Sequence, residues 1–119
     1  MQTKRVLIVE DEAPLAHALS LKLGHEGCET AIADSGQACL DILESQQFDV
    51  LLLDLVMPVV DGFQVLEKLQ HAPKRPVIFA LSNLSQQDDE KRALSLGAQK
   101  FFVKSNTPLA VIVQEVKAV

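Results

Sequence analysis

VLLLDLVMPVVDG, residues 50–62, is the stretch on which the fold turns. Val50, Leu51, Leu52 and Leu53 form an unbroken apolar run that ends in one carboxylate, Asp54. A short apolar run of this kind reads as a strand buried on both faces. A charge is expensive inside such a strand, so Asp54 belongs where the strand emerges, at its carboxyl end. The carboxyl ends of parallel strands are where open α/β sheets bind ligands. Met57-Pro58 and Asp61-Gly62 then punctuate a loop before the next helix. Asp54 is expected to be the centre of the function, although a strand-terminal Asp that only caps a turn would look the same over this stretch.

Working outward, the chain reads as five alternations of strand and helix. Residues 4–9 form β1, ending in Glu10-Asp11-Glu12, and residues 13–24 form α1, with Pro14 in its first turn and Leu15, Leu19 and Leu23 on one face. Residues 29–33 form β2. Asp34-Ser35-Gly36 is a turn and helix cap before α2, residues 37–44, whose inward set is Ala38, Ile42 and Leu43. Residues 50–54 are β3. Residues 62–71 are α3, with Phe63, Val65, Leu66 and Leu69 as its apolar set. Residues 76–81 are β4, ending at Ser82. Ser85 caps α4, residues 86–96, whose acidic first turn suits the helix dipole. Residues 100–103 are β5, ending at Lys104, and residues 109–119 are α5. Short connections, no Pro inside a strand body and no period-two alternation predict a parallel sheet covered by helices on both faces.

The totals set limits. The 119 residues fit one domain and one core, and 48% are hydrophobic, which argues against intrinsic disorder. Five Phe with no Trp and no Tyr leave the core to Leu, Val, Ile and Ala. A net charge of −5 with no basic run disfavours binding of nucleic acid or of an anionic membrane by the surface at large. No apolar run is long enough to span a bilayer. Cys28 and Cys39 lack metal spacing and read as reduced apolar residues of a cytoplasmic protein, with no signal peptide before β1. The three histidines share no motif and read as surface residues. The apolar pattern at Val111, Ile112, Val113 and Val116 runs close to the terminus, which fits a domain taken from a longer chain.

Polar residues collect at the strand ends: Glu10 and Asp11 after β1, Asp54 at β3, Ser82 at β4 and Lys104 at β5. In a parallel sheet these ends share one edge. Clustered carboxylates repel one another and call for a hard divalent cation with oxygen ligands, Mg²⁺ foremost. A hydroxyl and an ammonium are not needed to hold that metal, but they suit phosphoryl oxygens. The combination points to phosphoryl transfer to a carboxylate, with Asp54 as nucleophile. Each residue alone has a plainer reading, as turn former or solvated surface. Their joint placement carries the inference.

VLIVEDE at 6–12, DVLLLDLVMPVVDG at 49–62, FALSN at 79–83 and GAQKFFVKS at 97–105 together resemble the receiver domain of two-component response regulators, over essentially the whole chain. The resemblance implies a flavodoxin-like, doubly wound five-stranded parallel sheet in the order 2-1-3-4-5 with five helices. It implies that Asp54 is the phosphoacceptor, that Glu10 and Asp11 are the acidic pair, and that Asp11 is the more direct metal ligand. The backbone carbonyl of Val56 would be a further ligand. Ser82 would be the switch hydroxyl, Phe101 the aromatic that turns inward with it, and Lys104 the partner of the phosphoryl oxygens. The donor would be a histidine kinase or a histidine phosphotransfer protein. Phosphorylation would alter the α4–β5–α5 face, residues 86–119, toward an output domain, a downstream protein or a second copy of the chain.

The chain departs from the family pattern at three places. Ser105 stands where Pro usually follows the lysine, Asn83 stands where Ala or Gly is common, and Val56 has no polar side chain to orient water. Slow hydrolysis of the aspartyl phosphate is expected from these features. Two other readings compete. Phosphatases of the haloacid-dehalogenase type also use an aspartyl phosphate, but place it after the first strand in a DxD pattern, unlike Asp54-Leu55-Val56. A degenerate receiver would act as a protein-binding module without phosphate.

Overall fold

The computed structural model describes residues 3–83 and 87–119. Its elements are β1 Arg5–Val9, α1 Ala13–His25, β2 Glu29–Ala33, α2 Gly36–Ser45, β3 Val50–Asp54, α3 Gly62–Leu69, β4 Val77–Ser82, α4 Gln87–Ser95, β5 Lys100–Val103 and α5 Leu109–Lys117, with a 3₁₀ turn at Lys104–Asn106. The five strands pair in parallel in the order β2-β1-β3-β4-β5. The doubly wound arrangement expected from the sequence is the one observed.

Alternation along each strand divides the core into two layers. Leu7, Val9, Leu51, Leu53, Ile78 and Ala80 face Cys39 of α2, Phe63, Val65, Leu66 and Leu69 of α3, and Ala93 of α4. Val6, Ile8, Val50, Leu52, Phe79 and Leu81 face Ala16, Leu19 and Leu23 of α1 and Ile112, Val113 and Val116 of α5. Both layers are apolar, so the central strands are buried on both sides and read as continuous hydrophobic runs. Each fully buried Leu, Ile or Val contributes roughly 1.5–3 kcal/mol by leaving water.

Several boundaries move for local reasons. α3 stops at Leu69 rather than residue 71, because Gln70 N and Ala72 N donate to carbonyls three residues back and tighten the chain into a turn. In α2 the buried residues are Gly36 and Cys39, while Ala38, Ile42 and Leu43 only flank the core. Burial pushes the Cys39 thiol up to about 12, so it stays a neutral apolar filler. Ser35 caps α2, its hydroxyl accepting from Ala38 N at 3.1 Å. The cap expected at Ser85 and the helix start at Gln86 lie outside the described residues. His17, His25 and His71 are exposed. Among the described residues, no helix is long and apolar enough to cross a membrane.

Candidate functional site

Strand register assembles the site. Val9 pairs with Leu53, so Glu10 emerges beside Asp54. Asp54 pairs with Leu81, and Ser82 with Val103, so the hydroxyl and Lys104 emerge one residue further along the same edge. The sequence-predicted residues of four strand ends therefore share one edge. One carboxylate oxygen from each of Glu10, Asp11 and Asp54 lies within 4.8 Å of the others. Asp11 is exposed, whereas Glu10 and Asp54 are only 1% and 2% exposed.

The ammonium of Lys104 stands against both buried carboxylates, 2.7 Å from Glu10 Oε2 and 3.3 Å from Asp54 Oδ2. Sequence reasoning reserved this lysine for phosphoryl oxygens and missed that it already neutralises the carboxylates. Glu10 Oε2 receives no aligned hydrogen bond among the described residues, so the ammonium answers it chiefly by charge. The other oxygens are held by backbone: Glu12 N donates to Glu10 Oε1 at 3.1 Å, and Val56 N donates to Asp54 Oδ1 at 3.1 Å. Burial pushes the Asp54 carboxyl up to about 7, and the Glu10 charge adds to it, while the Val56 amide and Lys104 act in the opposite direction. Burial alone would lower the Lys104 pKa, but its contacts with Glu10 and Asp54 outweigh that and hold it above its usual value.

Ser82 is fully buried at the end of β4, and Asn83 beyond it is exposed. Phe101 is half-buried against the α2–α4 layer. Val56 places its amide on Asp54 and leaves its side chain 54% exposed. Ser105 is exposed in the 3₁₀ turn, and the described residues contain no cis peptide bond.

Two glycines that sequence reasoning read as punctuation are contact points. A Cβ on Gly62 would stand 2.5 Å from Asp54 O, and one on Gly36 would stand 2.3 Å from Val60 O. The Asp-Gly pair at 61–62 was a signal for the first. Nothing in the sequence marks the second, because it depends on α2 meeting the β3–α3 loop.

Residues 6–117 match the response regulator receiver domain family. The chain belongs to that family. The receiver domain is 32% identical over 108 residues to a probable transcriptional regulator, ycf27, of Porphyridium aerugineum, covering 91% of this chain and 45% of that protein. It is 31% identical over 100 residues to the cell cycle response regulator CtrA of Brucella ovis, covering 84% of this chain and 43% of that one. The receiver domain thus spans less than half the length of these relatives. Its fold also matches a CheY-like response regulator receiver domain protein from Methanospirillum hungatei at a TM-score of 0.91 and 23% identity, over 98% of this chain and 93% of the other.

Proposed function

We propose that this receiver domain is a phosphorylation-operated signalling switch in which Asp54 accepts a phosphoryl group from the phosphohistidine of a histidine kinase or phosphotransfer protein. The observation that carries this reading is the buried Asp54 carboxylate at a strand end, flanked by Lys104 and by two further carboxylates. The donor set also suits Mg²⁺. Three carboxylates converge, all ligand atoms are oxygen, and among the described residues buried Glu10 Oε2 is met by the Lys104 ammonium without an aligned hydrogen bond. Glu10, Asp11, Asp54 and the Val56 carbonyl would hold the cation. When bound, Mg²⁺ supplies positive charge against the phosphoryl oxygens.

This chain's own residues do the rest. An Asp54 oxygen bonds to phosphorus as the bond from phosphorus to the histidine nitrogen breaks. Lys104 turns from the carboxylates to the phosphoryl oxygens, which carry more charge. Ser82, at the end of β4, bonds the same group, and half-buried Phe101 packs into the room it leaves. The change is passed to the α4–β5–α5 face, where an output domain, a downstream protein or a second copy would read it. A cytoplasmic setting goes with this function, supported by Cys28 and Cys39 standing as free thiols.

Intact mass after incubation with MgCl₂ and acetyl phosphate tests the reading. One added phosphoryl group is expected on the wild type and none on Asp54→Asn or without Mg²⁺. A folded protein that acquires no phosphate from this donor or from any histidine phosphodonor would sink it in favour of a phosphate-independent binding module.

A further inference from the structure

Val59 is the only described non-glycine residue with a positive φ, +69°, and its side chain is 95% exposed. Val60 N donates to Pro58 O at 2.9 Å, which closes a three-residue γ-turn with Val59 at its centre. A β-branched residue is strained in this region, and an exposed one gains no packing in return. Such strain persists only where the surroundings over-determine it.

The surroundings here are the phosphoacceptor site itself. Val60 is seated in a slot at the start of α2, where a Cβ on Gly36 would stand 2.3 Å from Val60 O and 2.8 Å from Val60 Cγ1. Downstream, Asp61 and Gln64 form a reciprocal capping box with bonds of 2.9 Å each, and Gly62 lies directly on Asp54 and Leu55. Upstream, Val56 N is bound to Asp54 Oδ1. Residues 55–61 are pinned at three points, and Val59 absorbs the misfit between them.

We propose that Val59 is a positioning residue for the phosphoacceptor site, through a two-state loop. In the seated state Val60 occupies the Gly36 slot and the Val56 amide rests on Asp54. In the released state Val59 relaxes to an extended backbone and both contacts are given up. The strain at Val59 raises the released fraction and so lowers the apparent affinity of the site for a cation, as any partly populated competent state does. The cation part rests on the function proposed above; the loop equilibrium does not.

The test compares wild type with Val59→Asn, which removes the branch at Cβ and is among the side chains that tolerate a positive φ, and Val59→Thr, which keeps the branched shape and the strain without the apolarity. In metal-free protein, NMR relaxation dispersion is expected to show microsecond-to-millisecond exchange at the amides of residues 55–60 in wild type and Val59→Thr, and to show it quenched in Val59→Asn. Titration with MgCl₂ followed by NMR is expected to give Val59→Asn a higher affinity, by at most about twofold, the ceiling when the seated state is already the major one. Gly36→Ala, which crowds the slot, is expected to move both readouts the opposite way. A rigid wild-type loop, or a Val59→Asn protein with unchanged exchange and unchanged Mg²⁺ affinity, would overturn the proposal. Exchange quenched as expected while no variant binds Mg²⁺ would establish the loop equilibrium and tell against the proposed function instead.

Discussion

Asp54 carries an unusual burden for a carboxylate: it is buried, it faces Glu10, and only the Val56 amide and the Lys104 ammonium offset this. With its pKa up at about 7, the folded protein keeps a proton there, between about pH 4 and pH 7, that the unfolded chain gives up. The contribution of this group to stability is therefore fully present below the ordinary carboxylate pKa and is lost as the pH rises through about 7. Metal-free Asp54→Asn is expected to be more stable than wild type by about 1–2 kcal/mol at pH 8, a figure discounted for solvent at the mouth of the site. At pH 4 no such gain is expected. Urea unfolding of the two proteins at both pH values checks this, and an equal difference at pH 4 and pH 8 would contradict it. Lys104 does not blur the result, because its pKa is raised and it stays charged through this window.

At the scale of elements, α5 and α4 are tethered differently. The last two carbonyls of α5 and that of Val119 beyond it converge on one ammonium: Lys4 Nζ donates to Val116 O at 3.0 Å, Lys117 O at 3.1 Å and Val119 O at 2.6 Å. A cation at this end also complements the helix dipole. Lys4→Met keeps the apolar stem and removes the charge. It is expected to cost about 1 kcal/mol and to speed amide exchange in the last turn of α5, measured by chemical denaturation and hydrogen exchange. α4 is more lightly held. Ala93 is its one fully buried described residue, and Arg92 supplies the lateral contact, 4.2 Å over the Phe63 ring and 3.5 Å from Glu67. Arg92→Ala is expected to cost about 0.5–1 kcal/mol and to raise exchange across α4 while leaving β3 protected. Uniform protection across α4 in the variant would show that Arg92 does not hold the helix.

These contacts also show where sequence reasoning reaches its end. The runs VLIV and VLLLD announce doubly buried strands because burial on both faces removes alternation, and the same physics puts Asp54 at a strand end. The gathering of Glu10, Asp11 and Asp54 follows from parallel order and register alone. Lys4 on α5, Arg92 on Phe63 and Val60 in the Gly36 slot could not be read, because each joins residues that are distant in sequence through a packing angle no local pattern records. The left-handed Val59 was hidden for the opposite reason: a valine there argues against the conformation that the surroundings impose.

For the molecule as a whole, cation binding and folding should be linked, since the three carboxylates converge only in the folded chain. Mg²⁺ at a hundredfold excess over its dissociation constant is expected to add about 2.7 kcal/mol to stability, and chelation to remove it. Calorimetry with and without MgCl₂ at pH 8 measures the effect, and Asp54→Asn should lose much of it. An unchanged melting temperature at saturating MgCl₂ would exclude a folded-state cation site. The aromatic inventory has a practical consequence of its own. With no Trp and no Tyr anywhere in the chain, the protein has no indole or phenol fluorophore of its own. Phe101 sits half in the core and half in solvent, packed on the α2–α4 layer. An indole in its place would be a lone fluorophore on that border, and the colour of its emission would report, in real time and without a label, which side of the border the ring occupies.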